Sequence, residues 1–310
     1  MGSLFTIVLY APDDATARSG FVDAFGRIKA LDEALNDYDP ESELSQLSAS
    51  SPHAEPIPVS DDLWRVMQLS AQYHRLSDGA FDVTVGPLTS LWRNARRRKQ
   101  LPTDDDLNAA LSAVGFQHVQ FASGDDQAIM LRRSKMRIDL GGIAKGYAVD
   151  EALAALRKHN IHSALVNGGG DIAASDAPPG RAGWKIGVAP LAKDAKPSRF
   201  LLIKNQAIAT SGDTWQFVEI DGVRYSHIVN PATGLGLRVR SSVTVIASNC
   251  TAADALASSV SVLGPVKGLQ LIDSLEATEA MVIREVNGKT IAKTSDGFES
   301  LPTETSSDDP

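Results

Sequence analysis

An α+β fold is what the order of apolar patterns predicts, because short strands and amphipathic helices are interleaved without the strict βαβ alternation of a doubly wound sheet. Two further observations agree. With 310 residues, 43% of them hydrophobic and 22% charged, the chain can bury a large core. No fixed-period repeat and no internal linker divides it, so residues 1–300 read as one domain, with room for two lobes, and 301–310 as a polar tail. The balance of 38 acidic to 30 basic residues, net −8, argues against a protein that coats nucleic acid. A small anionic ligand would then need local help from lysine, backbone amides or a metal. The lone Cys250 excludes an intramolecular disulfide and any multi-cysteine metal site, and leaves the compartment open.

Taken in order, the Leu4–Tyr10 stretch is too short to span a membrane and lacks the basic flank of a signal peptide; it reads as a buried strand. Phe21, Phe25, Ile28, Leu31, Leu35 and Tyr38 step by three and four, predicting an amphipathic helix of about six turns that Pro40 stops. Tyr38, at its end, either packs on the core or turns its ring to a ligand. A short helical turn begins at Ser42. Ser60 is fit to cap a helix carrying Leu63, Val66, Leu69, Tyr73 and Leu76, with Gly79 as its stop. Across Gly79-Ala-Phe-Asp-Val-Thr-Val-Gly-Pro87 the apolar residues Phe81, Val83 and Val85 alternate with Asp82 and Thr84, so a short strand would display a carboxylate. The cationic run Arg96–Lys99 has no interleaved aromatic residue and is assigned to solvent rather than to nucleic acid, with docking of an acidic partner left open. Thr103 caps a helix through Leu107, Leu111 and Val114, closed by Gly115.

After short strands around Val119–Phe121 and Ile129–Leu131 comes the stretch with the most chemistry, Asp139-Leu-Gly-Gly-Ile-Ala-Lys-Gly-Tyr-Ala-Val-Asp150. Met136-Arg-Ile-Asp139 alternates like a strand end, while Tyr147, Ala148, Ala152, Leu153 and Leu156 recur at helical spacing, so the join is strand, tight turn, helix. Backbone N–H groups at such a turn attract phosphate oxygens, and glycine admits a ligand to the main chain. The spacing matches neither the dinucleotide fingerprint nor the P-loop.

A strand through Ser163–Val166 then ends in Asn167-Gly-Gly-Gly-Asp171, whose three glycines bring backbone close to a ligand or merely to another strand. Strands follow at Trp184–Val188, Phe200–Ile203 and Ala207–Ala209, with Thr210–Asp213 as a polar turn. His227 lies in Val223–Val229, before the turn Asn230-Pro-Ala-Thr-Gly234; it is structural or, being flanked by turn chemistry, functional. Beyond the strand Ser242–Ile246, a helix over Thr251–Ser259 places Asp254 and Ser258 four apart on one alanine-rich face. They suit hard-oxygen ligation of Mg²⁺, or no more than a back-bonded helix start. Glu279–Arg284 and Thr290–Ala292 close the chain as a hairpin about Asn287-Gly288.

Eight of these segments, in this order, resemble the ApbE family, the FAD:protein FMN transferases. They are Met1-Gly-Ser, Tyr38-Asp-Pro-Glu-Ser-Glu-Leu-Ser45, Gly79 to Leu88, Asp139 to Asp150, Asn167 to Asp171, Ala209 to Asp213, His227 to Gly234 and Ala253 to Ser258. The resemblance implies a mixed-sheet fold with FAD in a cleft between two lobes, and Mg²⁺-dependent transfer of FMN to a threonine of a target protein with release of AMP. It implies that Met1, Tyr38, Gly79, Ala80, Phe81 and Asp82 hold the flavin end, that Asp139 and Lys145 contact FAD, and that Ile228 lines the flavin site. Gly142 would offer its carbonyl to the metal, with Asp254 and Ser258 as side-chain ligands. His227 would lie at the reacting phosphate. A threonine hydroxyl is a poor nucleophile at neutral pH and needs a base, for which His227 is the candidate, with Asp82 ranked behind it. The family usually has threonine at the place of Ser258, and a hydroxyl oxygen is kept. It usually also has an exported or lipid-anchored leader before the Met-Gly motif, absent from this sequence. The resemblance further implies a membrane redox subunit or exported electron carrier as target, and an exported, periplasmic or membrane-anchored location. The rival functions are an FAD pyrophosphatase giving FMN and AMP, and a non-catalytic FAD-binding protein.

Overall fold

The computed structural model describes residues 2–122, 124, 126–191, 196–197, 199–213 and 216–303. The chain opens with β1 (Phe5–Tyr10), α1 (Asp14–Leu35), α2 (Glu43–Ala49), β2 (Ile57–Pro58), α3 (Asp61–Leu76), α4 (Gly86–Arg98), α5 (Asp104–Ser112), β3 (Val119–Phe121) and β4 (Ala128–Leu131). It continues through α6 (Ala144–Lys158), β5 (Ser163–Gly168), β6 (Asp171–Ala174), β7 (Trp184–Gly187), β8 (Phe200–Ile203), β9 (Gln206–Gly212), β10 (Phe217–Ile220), β11 (Val223–Ser226) and β12 (Ser241–Ala247). Helix α7 (Cys250–Asp273) and the hairpin of β13 (Glu279–Val286) and β14 (Lys289–Thr294) complete it.

Seven strands form one sheet in the order β1-β5-β6-β9-β12-β13-β14, each neighbouring pair antiparallel. Side chains alternate across it, so each face needs its own cover. Helices α6 and α7 cover one face, with α1 against α6, and the shared core includes Ile28, Leu31, Ala148, Ala152, Leu256 and Val245. The β7–β8 pair covers the other through Trp184, Leu201 and Ile203 against Ile208 and Ile246. A third cluster, Leu88, Trp92 and Ala95 with Val218, Ile220 and Tyr225, seats the β10–β11 hairpin on α4. Helix α7 is long and apolar enough to cross a membrane, but here its apolarity answers to burial against β9, β12 and α6.

The N-termini of α6 and α7 meet almost backbone to backbone. A Cβ at Gly146 would stand 2.3 Å from the Cys250 carbonyl oxygen, so only glycine permits the approach. Asp150 of α6 then accepts from Cys250 N and Thr251 N, both at 2.8 Å, and from Thr251 Oγ1 at 2.5 Å. These satisfy amides that the first turn of a helix leaves without partners. Burial pushes the Asp150 carboxyl up, against the pull of those bonds. Asp150→Ala is expected to cost about 2 kcal/mol in urea unfolding, because two helix amides and a hydroxyl lose a charged acceptor.

Several expectations change. Strand β1 is an edge strand rather than a buried one; Ile7 is covered but Val8 and Tyr10 are 44% and 48% exposed. Helix α1 starts at a cap on Asp13, which accepts from Thr16 N at 2.7 Å, and stops at Leu35, short of Tyr38. Asn36 turns extended there and its Oδ1 accepts from Tyr38 N at 3.0 Å, so Pro40 is not what stops it. Gly79–Val85 is a turn, not a strand. Asp82 Oδ1 bends back to Thr84 N (2.8 Å) and Oγ1 (2.6 Å), a local hydrogen bond that competes with strand pairing, and only a bridge between Val85 and Arg137 survives. Met136–Asp139 forms no strand beyond that bridge, although Met136 and Ile138 are buried as the alternation requires. The presumed turn at Thr210 belongs to β9, which runs to Gly212, and α7 runs past a kink at Gly264–Pro265 to Asp273.

Candidate active site

A cavity of about 670 Å³ lies where the end of α1, the start of α4, the Asp139–Lys145 turn, the β5–β6 turn, β10–β11 and α7 converge. Its size suits a cofactor-sized ligand. Tyr38, Ala80, Phe81, Asp82, Asp139, Gly142, Lys145, His227, Ile228, Asp254 and Ser258 all border it. Gly79 does not; it closes the turn after α3 at a left-handed φ of 78°. Met1 lies outside the described residues, while Gly2 and Ser3 reach the cavity wall.

Leu140 is buried beneath the turn, while the Asp139 carboxylate gathers Gly141 N (2.9 Å), Thr89 Oγ1 (2.7 Å) and Arg93 Nη2 (2.9 Å). Arg93 also donates to Asp37 at 2.6 Å, and its guanidinium lies 4.0 Å above the Tyr38 ring. Burial pushes the Asp37 carboxyl up, with the Asp139 charge adding to it and Arg93 opposing. Tyr38 is 68% exposed and rests on a cation, which leaves it a ring surface for stacking rather than a core residue. Phe81 is buried edge-on to Tyr73, and Asp82 is turned to Thr84 with its other oxygen 3.6 Å from His74 Nδ1. A carboxylate so engaged is poorly placed as a substitute base.

Lys145, in the first turn of α6, brings three chain segments together. Its Nζ contacts the Asp171 carboxylate and stands 3.4 Å from Asp254 Oδ2, which also accepts from Gly146 N at 3.2 Å. Burial and then the neighbouring Asp254 push the Asp171 carboxyl up to about 7, against Lys145. Burial alone would lower Lys145, but Asp254 and Asp171 outweigh it and hold the ammonium above its ordinary range. The left-handed φ values of Gly169 and Gly170, 66° and 102°, reverse the chain tightly enough to return Asp171 beside Gly168. The glycine turn thus positions a carboxylate, the signal its composition carried without naming the partner.

The Gly142 turn presses on α7. A Cβ there would meet Ser258 Oγ at 2.8 Å and the Phe81 ring at 3.3 Å. Ser259 and Ser261 return their hydroxyls to Ala255 O (2.7 Å) and Ala257 O (2.8 Å), whereas Ser258 Oγ bonds no described residue. No cluster of three or more His, Cys, Asp or Glu able to hold a metal occurs among the described residues. A divalent ion would draw instead on a carbonyl, a hydroxyl and one carboxylate, a hard-oxygen set that suits Mg²⁺, which retains water and phosphate ligands. Gly142→Ala should therefore lower metal and ligand binding in the cavity by about tenfold or more, with little change in urea midpoint, since a displaced cradle need not unfold the chain.

His227 follows β11. Its Nδ1 lies 3.0 Å from Gln216 O, and a carbonyl only accepts, so Nδ1 carries the proton and Nε2 keeps a lone pair. The ring is open toward the cavity but crowded by protein elsewhere, and this burial lowers its pKa below the usual 6.5, with Gln216 opposing and Arg96 adding to the effect. Asp37, Thr89, Arg93, Arg96 and Gln216 were not anticipated as site residues. Thr89, Arg93 and Arg96, spaced four and three on α4, formed a polar stripe that the neighbouring basic run hid.

Comparison with known proteins shows what the chain as a whole is similar to. A family model described as the ApbE family matches residues 1–282. An FAD:protein FMN transferase of Vibrio cholerae is 30% identical over 96% of this chain and 87% of its own length, and one of Treponema pallidum is 30% identical over 91% and 82%. Among solved structures, the flavin transferase ApbE from Vibrio cholerae aligns at a TM-score of 0.87 and 28% identity, covering 97% of this chain and 96% of its own. The apo flavinyl transferase ApbE of Pseudomonas stutzeri aligns at 0.85 and 27%, covering 97% and 94%.

Proposed function

The chain belongs to the ApbE family and transfers FMN from FAD to a protein acceptor, and we propose that this transfer takes place in the cavity between Tyr38 and Asp254, with a threonine hydroxyl as nucleophile. The observation that carries the assignment is the meeting, around one cavity, of the Lys145–Asp171–Asp254 cluster, the Gly142–Ser258 cradle and an imidazole whose Nδ1 is tied to Gln216 O so that Nε2 keeps a lone pair.

Tyr38 offers the flavin a face, and Asp139, held by Arg93 and Thr89, presents a fixed carboxylate to polar groups of FAD. In the transfer the threonine oxygen bonds to the FMN phosphorus, the bond from that phosphorus to the bridging oxygen breaks, and AMP leaves with the electron pair. His227 Nε2 takes the hydroxyl proton, an assistance of about 10²- to 10⁴-fold. Lys145 neutralises charge gathering on the phosphoryl oxygens, while Asp171 holds it in place. Mg²⁺, held by the Gly142 carbonyl, Ser258 Oγ and Asp254, would add a second positive charge to the diphosphate. The acceptor is taken to be a membrane redox subunit or exported electron carrier, met outside the cytoplasm, on the strength of the motif resemblance.

Incubation with FAD, Mg²⁺ and a candidate acceptor should add one FMN to the acceptor by mass spectrometry, and an acceptor with its threonine replaced by alanine should gain none. Flavin on the alanine form would overturn threonine as nucleophile. AMP released without any acceptor measures how far water replaces the hydroxyl.

A further inference from the structure

Helix α4 carries positive charge from the cavity out to the surface. Arg93 and Arg96 line the cavity, and Arg96 donates at 3.2 Å to the side chain of Gln216, whose main-chain carbonyl holds His227. Arg97, Arg98 and Lys99 follow, exposed and outside the cavity wall; Arg97 bonds its own helix through Asn94, and Lys99 ends the helix at a left-handed φ of 53°.

Three other cations at or beside the site are paired with carboxylates: Arg93 with Asp37 and Asp139, Lys145 with Asp171 and Asp254, Arg224 with Asp213. Among the described residues, no carboxylate pairs with any of Arg96–Lys99. The nearby acidic turn does not serve them either, since Asp106 is bonded to Thr103 at the cap of α5 and Asp104 and Asp105 stay exposed in its first turn. Cations at a helix C-terminus do gain from its dipole, which accounts for some positive charge in the last turn. It does not account for four successive cations left uncompensated in a chain of net charge −8, beginning at the residue that shares Gln216 with His227.

We propose that Arg96–Lys99 is the docking surface for an acidic segment of the protein acceptor, holding carboxylates that flank the acceptor residue while its hydroxyl enters beside His227. The proposal rests on the reading of His227 as the transfer end of the cavity. Three of the four side chains are exposed and do not line the cavity, so a nucleotide bound within it does not use them, whereas a protein seated on the surface beside Arg96 can. Such charge pairing raises encounter rates and selects partners more than it deepens affinity, and it weakens with salt.

The probe is a labelled threonine peptide flanked by aspartates, compared with the same peptide carrying asparagines, bound to the full chain preloaded with FAD. At about 50 mM salt the aspartate peptide should bind about tenfold or more tightly than the asparagine peptide, and about 0.5 M salt should remove the difference. The Arg97→Glu, Arg98→Glu, Lys99→Glu variant should lose the preference while binding FAD as the parent does, which shows that it folds. Equal binding of the two peptides, or a preference that survives in the variant, overturns the proposal. So does charge-dependent binding to anionic phosphatidylglycerol vesicles without any peptide preference, which would assign the run to a membrane surface. FMN addition to either peptide, read separately by mass spectrometry, reports on the transfer site itself, so a failure of that reading is not mistaken for a failure of docking.

Discussion

Asp254→Asn is expected to reduce FMN transfer about a thousandfold while leaving the fold intact. The carboxylate does two things that an amide of the same shape cannot: it balances the Lys145 ammonium jointly with Asp171, and in the proposed site it would supply the anionic metal ligand beside Gly142 and Ser258. Loss of a metal's charge from a phosphoryl-transfer site removes several kcal/mol of transition-state stabilisation, and each 1.36 kcal/mol is about tenfold in rate. Asparagine still accepts from Gly146 N, so the urea midpoint should barely move, and the Mg²⁺ concentration for half-maximal rate should rise. A variant that keeps a tenth of the parent rate at ordinary Mg²⁺ would remove Asp254 from the chemistry and with it the cradle.

His227→Gln should lower the transfer rate by about 10²- to 10⁴-fold with FAD affinity held within about threefold, because a base acts on the transition state and not on bound FAD. The pH profile is the sharper readout. The protonated ring has no lone pair to take the hydroxyl proton, so activity in the parent should rise with pH through the ring's pKa. Burial places that pKa on the acid side of 6.5, so the rate should be level by neutrality. In the glutamine variant that acidic limb should vanish. A limb of the same position in the variant would assign the titration to another group and leave His227 as a positioning residue.

How much of this was legible beforehand depends on how local the cause is. The caps at Ser60 and Thr103 appear as expected, with Leu63 N bonded at 3.3 Å and Asp106 N at 3.1 Å, because a cap is settled within four residues. The apolar spacing of α6 and the hairpin at β13–β14 follow for the same reason. The Gly79–Val85 segment was misread because its alternation is real while its backbone is decided by Asp82 bonding Thr84, a choice that apolar periodicity does not register. Strand β10 and the burial of Arg93 carried no periodic signal at all, being products of how α4 and β10–β11 lie against one another.

By itself the sequence determined which chemical groups this protein has at its disposal, the α+β alternation that carries them, and the motif order that marks the family. Those are properties of neighbouring residues and their backbone preferences. The tertiary structure alone decided which group faces which: Lys145 between Asp171 and Asp254, 26 and 109 positions away, Arg93 between Asp37 and Asp139, and Arg96 beside Gln216 with no carboxylate among the described residues. Pairings over such distances are set by the packing of helices on a sheet, where a glycine at 146 and a carboxylate at 150 fix the approach of α6 and α7, and no pattern within one segment contains that information.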